Sequence, residues 1–233
     1  MATSSTYVFG YILTALCVII GFLAALVNWQ GFIRVGSSFW AKLLFWLVGR
    51  HPHVSGQENL EPGKPYLVVS NHASMYDIPA LMTAVPGIAI MGRDYLTRIP
   101  AFGHVLRTLN YVPINTSSGR SARAALSLAA TQIRGGTSVG IFPEGTRTMT
   151  GRVQSLKRGF VTVLRESGSD LLPVYIRGTF ALKPKGKNYM DPKEKITVQI
   201  GAPIANADLV RLEDWEIMEK VKTILEKMGD DQS

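Results

Sequence analysis

His72 and Asp77 are two titratable side chains within the segment Asn71-His72-Ala73-Ser74-Met75-Tyr76-Asp77. The segment follows an apolar run, where a chain leaves a sheet and presents side chains to a cleft. An imidazole can take a proton from a hydroxyl, while a carboxylate on its other nitrogen fixes the tautomer. The spacing would separate the two side chains on one ideal helix, so we expect a loop running into a helix. Asp77 then serves as the N-cap, with one oxygen turned back to His72.

A second polar segment, Ile141-Phe142-Pro143-Glu144-Gly145-Thr146-Arg147, also follows an apolar run, and Lys157 and Arg158 come shortly after it. By itself, the spacing of His72 and Asp77 also fits an ordinary loop histidine and a helix cap. The presence of both segments in one chain favours a functional interpretation.

Together the two segments resemble the glycerolipid acyltransferase family, whose pattern pairs NHxxxxD with FPEGTR. The resemblance runs from about Leu60 to Pro203 and includes three further blocks in the family's order: Ile99 to Gly103, Lys157 to Gly159, and Leu172 to Ile176. It implies that His72 is the general base on an acceptor hydroxyl, that Asp77 is its partner, and that the hydroxyl attacks an acyl thioester directly. The implied reaction moves a fatty acyl group to 1-acyl-glycerol-3-phosphate and makes phosphatidic acid.

The resemblance also implies a binding block for the phosphorylated acceptor. A guanidinium suits that task because its planar fork binds phosphate bidentately. Glu144 is expected to position Arg147 rather than to touch phosphate. The residues assigned to substrate binding are Glu144, Gly145, Thr146, Arg147, Arg93, Lys157 and Arg158.

Asn115 departs from the family's pattern, because it stands where a phosphate-contacting arginine is expected. Asparagine donates hydrogen bonds but carries no charge. Two alternatives follow. Either Arg93, Arg120 or Arg123 supplies the missing cation, or the acceptor is another lysolipid, such as a lyso-ornithine lipid or a different lysophospholipid.

Several other kinds of site are excluded or disfavoured. His51 and His53 have metal-like spacing but no nearby carboxylate, so no metal is expected. Neither Ser70 nor Ser74 stands in the Gly-x-Ser-x-Gly pattern of a covalent hydrolase, and the single cysteine, Cys17, excludes an intramolecular disulfide. We expect no cofactor, with acyl-CoA or acyl carrier protein as the donor substrate. A noncatalytic lipid-binding protein of the same fold remains the alternative from another class.

The run from Tyr7 to Trp29 contains no charged residue and is long enough to cross a bilayer as a helix. We interpret it as an uncleaved anchor; a signal peptide, a hairpin within one leaflet and a soluble core helix are the alternatives. Residues 39–48 are too short to cross and predict an interfacial helix. Arg34, Lys42 and Arg50 follow the apolar run, which places the rest on the cytoplasmic face of an inner or plasma membrane.

Composition agrees with a membrane-associated globular protein. The chain of 233 residues is 46% hydrophobic and carries 25 basic against 17 acidic residues, a net charge of +8. This apolar share excludes a disordered chain, and the charge favours phosphate-bearing partners such as anionic lipids. The tryptophans near the N-terminus belong to the apolar region, so nucleic acid is not expected as a partner. The oligomeric state is left open.

After residue 50, short apolar runs alternate with helical patterns, which predicts an α/β fold. We expect a central mixed, largely parallel sheet flanked by helices, with membrane-anchoring helices at 1–50 and a catalytic domain at 51–233. The predicted strands cover residues 65–70, 88–91, 137–142, 172–176 and 196–200. The predicted helices cover residues 78–85, 121–133, 159–166 and 214–228.

Overall fold

The computed structural model describes residues 4–187, 189–191 and 193–230. Within these residues lies one seven-stranded sheet, in the order β1-β7-β6-β2-β5-β3-β4. The strands are β1 (His53–Ser55), β2 (Leu67–Ser70), β3 (Ala89–Arg93), β4 (Val112–Ile114), β5 (Val139–Ile141), β6 (Leu171–Arg177) and β7 (Thr197–Ile200). The helices are α1 (Ser4–Leu26), α2 (Gln30–Leu47), α3 (Asp77–Ala84), α4 (Phe102–Thr108), α5 (Gly119–Arg134), α6 (Gly159–Ser167), α7 (Thr179–Leu182), α8 (Asn206–Leu209) and α9 (Asp214–Asp230).

The expectation of a mixed, largely parallel sheet is confirmed. The strands β6, β2, β5, β3 and β4 are parallel, whereas β7 pairs antiparallel with β6 and β1 pairs parallel with β7. Five carboxyl ends therefore meet at one edge of the sheet. Side chains that follow these strands are brought together there.

Helices cover both faces of the sheet, which explains why the central strands are apolar throughout. Val68 of β2 belongs to the same buried cluster as Phe45 of α2 and Leu81 of α3. Leu67 and Val69 alternate with Val68 and belong to the opposite cluster, which is formed with α5, α6 and α9.

The first two helices contact each other, and α1 also contacts α4. The indole Nε1 of Trp40 donates to Thr14 Oγ1 at 3.2 Å, which joins α2 to α1. Near the other end of α1, Phe22 meets His104 of α4 edge to face, with ring centroids 5.5 Å apart. Among the described residues, Val8–Leu26 is the helical stretch with the length and composition of a membrane span, with a mean hydropathy of 2.4.

The predicted interfacial helix at 39–48 is wrong in its extent, because α2 begins at Gln30. Arg34 and Lys42 interrupt the apolar pattern of this stretch. The helix nevertheless buries Ile33, Ala41 and Phe45 on the face that it turns toward the fold. The sequence pattern missed β1 and β4, which are three residues long each. It placed the other strands and α3, α5, α6 and α9 within a few residues of their observed bounds.

Candidate active site

His72 and Asp77 lie in contact in the loop that joins β2 to α3. His72 Nδ1 is 2.8 Å from Asp77 Oδ2. The same carboxylate oxygen accepts from the backbone N–H groups of Ala73, at 2.6 Å, and Ser74, at 2.7 Å. The hydroxyl of Thr179 donates to Asp77 Oδ1 at 2.6 Å. A fully buried carboxylate is thus supplied with hydrogen-bond donors on both oxygens, as burial of a charge requires.

The prediction that Asp77 is the N-cap of the helix is wrong. Asp77 is the first residue of α3 and Tyr76 precedes it as the N-cap. The carboxylate turns away from its own helix and binds the N–H groups of the loop behind it, which fixes the path of the chain from His72 to α3. The expected return of the Asp77 oxygen to His72 is the geometry observed.

The exit of β2 is fixed by the residue before the histidine. Asn71 Nδ2 donates to the carbonyl oxygen of Ile176 at 2.9 Å, and the N–H of Ile176 donates to Asn71 Oδ1 at 2.8 Å. The side-chain amide therefore continues the hydrogen bonding between β2 and β6 for one step beyond the strand. Asn71 anchors the start of the loop that carries His72.

The segment after β5 is joined to His72 on three sides. The His72 N–H donates to Glu144 Oε1 at 2.7 Å, and its carbonyl oxygen accepts from the N–H of Thr148 at 2.8 Å. Its ring stacks on Phe142, with centroids 4.3 Å apart and planes inclined by 23°. The backbone and ring of His72 are both constrained, while 17% of its side chain remains exposed.

Glu144 does not act as expected. Its second oxygen, Oε2, accepts from the backbone N–H of Gln154 at 3.1 Å and from Gln154 Nε2 at 3.0 Å. Both oxygens are therefore occupied by partners other than Arg147, and Glu144 supports the backbone of His72. Burial raises the pKa of the Glu144 carboxyl, and the hydrogen bonds from His72 and Gln154 offset this only in part.

Gly145, Thr146 and Arg147 form an open turn beside this support. The Gly145 N–H donates to the carbonyl oxygen of Phe142 at 3.0 Å, and the positive φ of 71° at Gly145 suits glycine. A Cβ at Gly145 would lie 2.8 Å from Lys157 Nζ. The Lys157 ammonium therefore lies directly over the turn. Thr146 is exposed and Arg147 is half-buried.

Arg93 is the last residue of β3 and Asn115 follows β4, so both lie at the edge of the sheet where the parallel strands end. An Arg93 guanidinium nitrogen is 3.4 Å from Thr116 Oγ1, and the Arg93 carbonyl oxygen accepts from the Tyr111 hydroxyl at 3.0 Å. Asn115 is held in a turn: Nδ2 donates to Asp94 Oδ2 at 3.3 Å, and Oδ1 accepts from Ser117 N at 2.9 Å. The amide of Asn115 is thus engaged within the fold.

Two of the cations considered above point away from the turn. Arg123 forms an ion pair with Glu166 of α6 at 2.7 Å. The Arg158 guanidinium bonds to Asp214 at the start of α9, beside Arg165, which binds the same carboxylate. The structure therefore places the Arg158 side chain in a helix-to-helix contact, and its assignment to substrate binding stays a prediction.

Three residues of the site were missed from the sequence. Thr179 and Lys185 follow β6 and contact Asp77 and Thr146 respectively. Gln154 lies in the connection between β5 and α6. The position of Thr179 just beyond a strand at the shared edge is a signal that could have identified it. No local pattern marks the other two. Among the described residues, no three His, Cys, Asp or Glu side chains are grouped as a metal site would need.

Comparison with known proteins assigns this geometry to a family. The acyltransferase family model matches residues 51–177. The chain is 34% identical to the 1-acyl-sn-glycerol-3-phosphate acyltransferase of Borreliella burgdorferi over 59% of this chain and 56% of that protein. It is 31% identical to the chloroplastic LPAT1 of Arabidopsis thaliana over 65% of this chain and 43% of that protein. The chain thus aligns with about half the length of these relatives.

The fold has a solved counterpart. The crystal structure of the 1-acyl-sn-glycerophosphate acyltransferase PlsC from Thermotoga maritima superposes with a TM-score of 0.76 at 25% identity. The match covers 96% of this chain and 97% of that one, so it includes the two N-terminal helices as well as the sheet. The matched region contains the His72 loop, the Glu144 segment and the strands that bring them together, and the chain belongs to the acyltransferase family.

Proposed function

We propose that the protein transfers a fatty acyl group from an acyl thioester to the free hydroxyl of 1-acyl-glycerol-3-phosphate and makes phosphatidic acid. The observation that carries the proposal is the 2.8 Å contact between His72 Nδ1 and Asp77 Oδ2. With Nδ1–H donated to the carboxylate, Nε2 is left as the proton acceptor. The stacked Phe142 and the bonded backbone hold that nitrogen in one orientation.

The reaction needs no covalent enzyme intermediate. His72 Nε2 takes the hydroxyl proton as the acceptor oxygen attacks the thioester carbonyl and a C–O bond forms. The C–S bond then breaks, and the departing thiolate takes the proton back from the imidazolium. The buried Asp77 carboxylate stabilises that imidazolium, which exists only between the two proton transfers.

The acceptor's phosphate is proposed to lie at the turn formed by Gly145, Thr146 and Arg147, beneath Lys157. The contacts of the described residues leave the Arg147 guanidinium outside every hydrogen bond and ion pair of the fold. A guanidinium in that situation suits a bidentate phosphate ligand. The names of the relatives from Borreliella burgdorferi and Arabidopsis thaliana support this acceptor.

A lipid substrate is supported by an apolar recess of about 170 Å³ next to the catalytic loop. Met75 and Tyr76, which lie between His72 and Asp77, form one wall of it. Tyr11 of α1 and Trp40 of α2 contribute to the opposite side. A hydrocarbon chain in this recess would lie against the loop that carries His72.

We propose that α1 and α2 associate with the membrane and that the site faces the cytoplasm. The exposed residues of α1 include Phe9, Ile12, Leu16 and Leu23, which makes burial in lipid favourable. The positive charges at Arg34, Lys42 and Arg50 support the cytoplasmic orientation. Labelling a Lys193→Cys variant, in a Cys17→Ser background, with an impermeant maleimide tests this. We expect labelling only after cells are opened; labelling of intact cells would contradict it.

The function is tested with detergent-purified protein, a panel of lysolipids and both donor carriers, acyl-CoA and acyl carrier protein. We expect phosphatidic acid as the main product from lysophosphatidic acid. Faster acylation of a lyso-ornithine lipid or another lysophospholipid would contradict the proposed identity of the acceptor. It would leave the proposed acyl transfer intact. Binding of lysophosphatidic acid without transfer to any acceptor would instead indicate a noncatalytic lipid-binding protein.

A further inference from the structure

Three cationic side chains surround the turn at Gly145, Thr146 and Arg147. Lys157 lies over Gly145, and Arg147 belongs to the turn itself. The third is Lys185, whose Nζ is 2.8 Å from Thr146 Oγ1 and 3.5 Å from the carbonyl oxygen of Arg147. Lys185 lies outside the part of the chain that matches the family model, residues 51–177.

The segment that carries Lys185 is fixed to the catalytic loop at two points. Thr179 donates to Asp77 Oδ1 at 2.6 Å, and Ser74 Oγ donates to the carbonyl oxygen of Lys183 at 2.9 Å. Both contacts are with residues of the His72-to-Asp77 loop. The chain just before Lys185 is therefore anchored to the loop that carries the catalytic pair.

These three cations have no carboxylate partner among the described residues. The ion pairs of the described chain involve other lysines and arginines, and neither Arg147, Lys157 nor Lys185 takes part in one. Glu144, the acidic neighbour of the turn, has both oxygens bonded to His72 and Gln154. Positive charge is thus concentrated without compensation beside the proposed proton acceptor.

An ammonium with two oxygen contacts at the turn retains capacity for an anionic ligand. Lysine has three N–H donors, and the bonds to Thr146 and to the Arg147 carbonyl use at most two. The Lys185 Nζ is bonded to the turn at Thr146. The residue is only half-buried, so solvent still reaches its side chain. A phosphate oxygen can take the remaining donor while Arg147 binds the same group.

We infer that Lys185 is a phosphate ligand of the active site and binds the phosphomonoester of the acceptor together with Arg147 and Lys157. The inference rests on the proposed function and identifies a binding residue that the family motifs do not contain. Asn115 brings no charge, and its amide is engaged with Asp94 and Ser117, so Lys185 adds a cation from another strand end of the sheet.

The phosphates of coenzyme A are a second source of the same chemistry, and separate measurements distinguish the two. We expect Lys185→Gln to raise the KM for lysophosphatidic acid and the inhibition constant of glycerol 3-phosphate by about tenfold to a hundredfold, the range of a charge-assisted hydrogen bond. The KM for acyl-CoA should change less than twofold. A change confined to acyl-CoA would overturn the assignment to the acceptor.

A matched control removes the same charge from the same segment. Lys193, whose side chain is 85% exposed and paired with Asp191, is replaced by glutamine. We expect Lys193→Gln to leave both KM values within twofold of the parent. Equal effects of the two substitutions would show a general loss of positive charge and would overturn the specific role of Lys185.

A supporting role through Thr146 is tested separately, because Lys185 also bonds to that hydroxyl. Thr146→Val removes the accepting oxygen and keeps the ammonium. If Lys185 binds phosphate, Lys185→Gln still raises the inhibition constant of glycerol 3-phosphate in the Thr146→Val background. If Lys185→Gln has no further effect in the Thr146→Val background, Lys185 is a positioning residue and the inference is wrong.

A binding measurement separates this inference from the failure of the proposed function. Glycerol 3-phosphate should raise the thermal unfolding midpoint of the parent protein in detergent, because a ligand of the native state stabilises it. The shift should be lost in Lys185→Gln and retained in Lys193→Gln. This result would support the phosphate site even if acyl transfer to lysophosphatidic acid were absent. An equal shift in both variants would contradict the role of Lys185.

Discussion

The two sides of the candidate active site differ in how their charged groups are satisfied. On the side of the base, Asp77 is fully buried and accepts from His72, Ala73, Ser74 and Thr179. On the opposite side, the cations near Gly145 are exposed or half-buried and have no acidic partner among the described residues. The first side is organised without a ligand, whereas the second leaves its cations available for the proposed anion. The difference is what a fixed base and an exchangeable phosphate require.

The largest expected effect is on the organised side. Asp77→Asn keeps the shape of the side chain but turns one acceptor oxygen into a donor, which must face either Thr179 or the cluster of N–H groups. We expect acyl transfer to fall by about 10²- to 10⁴-fold, as for loss of a positioned base. Purified variant and parent are compared by initial rate. Asp208→Asn, an exposed change on α8, is the control and should stay within twofold.

The next effect is expected on the cationic side, and it should fall on binding. Arg147→Gln removes the guanidinium that the fold leaves free, so the KM for lysophosphatidic acid should rise by about tenfold to a hundredfold while kcat changes little. Steady-state kinetics with varied acceptor measure this. The exposed Arg152→Gln is the matched control. A pure loss of kcat in Arg147→Gln would remove the distinction between the two sides.

Glu144 links the two sides, and its substitution should reveal a pH dependence of stability. Glu144→Gln places an amide N–H group against one of three N–H donors, which should cost about 1–3 kcal/mol of unfolding free energy at neutral pH. Because burial raises the pKa of Glu144 above its ordinary value of 4.5, the native state binds the proton more tightly than the unfolded chain. The parent should therefore gain stability relative to the variant as the pH falls through the raised pKa towards 4.5.

Thermal unfolding in detergent from neutral pH to below 4.5 measures this difference. The gain should be complete below the pKa of the unfolded chain and absent well above the native pKa. A stability difference that does not vary with pH, or one that grows as the pH rises, would contradict the burial of an ionised Glu144.

The smallest effect should follow from Arg158, which was assigned to substrate from the family pattern. Its guanidinium bonds to Asp214 at an exposed surface, so Arg158→Gln should cost at most about 1 kcal/mol of stability. The KM for the acceptor should remain within twofold of the parent. A tenfold rise in this KM would indicate that Arg158 belongs to the proposed phosphate site with Arg147, Lys157 and Lys185.

The sequence predicted the parts of this architecture that depend on short stretches of chain. The apolar run before Ser70 and the helix predicted at 78–85 placed His72 and its partner between a strand and a helix. The contact between His72 and Glu144 joins positions 72 residues apart and depends on the neighbouring places of β2 and β5 in the sheet. No local pattern encodes that neighbourhood, so Glu144 was assigned to the wrong partner.

The contacts made after β6 were missed for the same reason. Thr179 and Lys185 reach the site only because β6 lies beside β2, while the chain between them and His72 folds into most of the domain. The strand β4 was missed because Pro113 interrupts its three residues, whereas β5, which is equally short, lies within a longer apolar run that was recognised. Local propensity thus identifies elements, whereas the pairing of strands decides which polar residues meet.

The proposed chemistry depends on the His72 imidazole, oriented by Asp77, removing the proton from the acceptor hydroxyl. The most direct test is the rate of phosphatidic acid formation by purified His72→Ala with saturating lysophosphatidic acid and acyl-CoA. We expect a loss of about 10²- to 10⁴-fold, with the exposed His51→Ala retaining the parent rate. Phosphatidic acid formed by folded His72→Ala at the parent rate would contradict it.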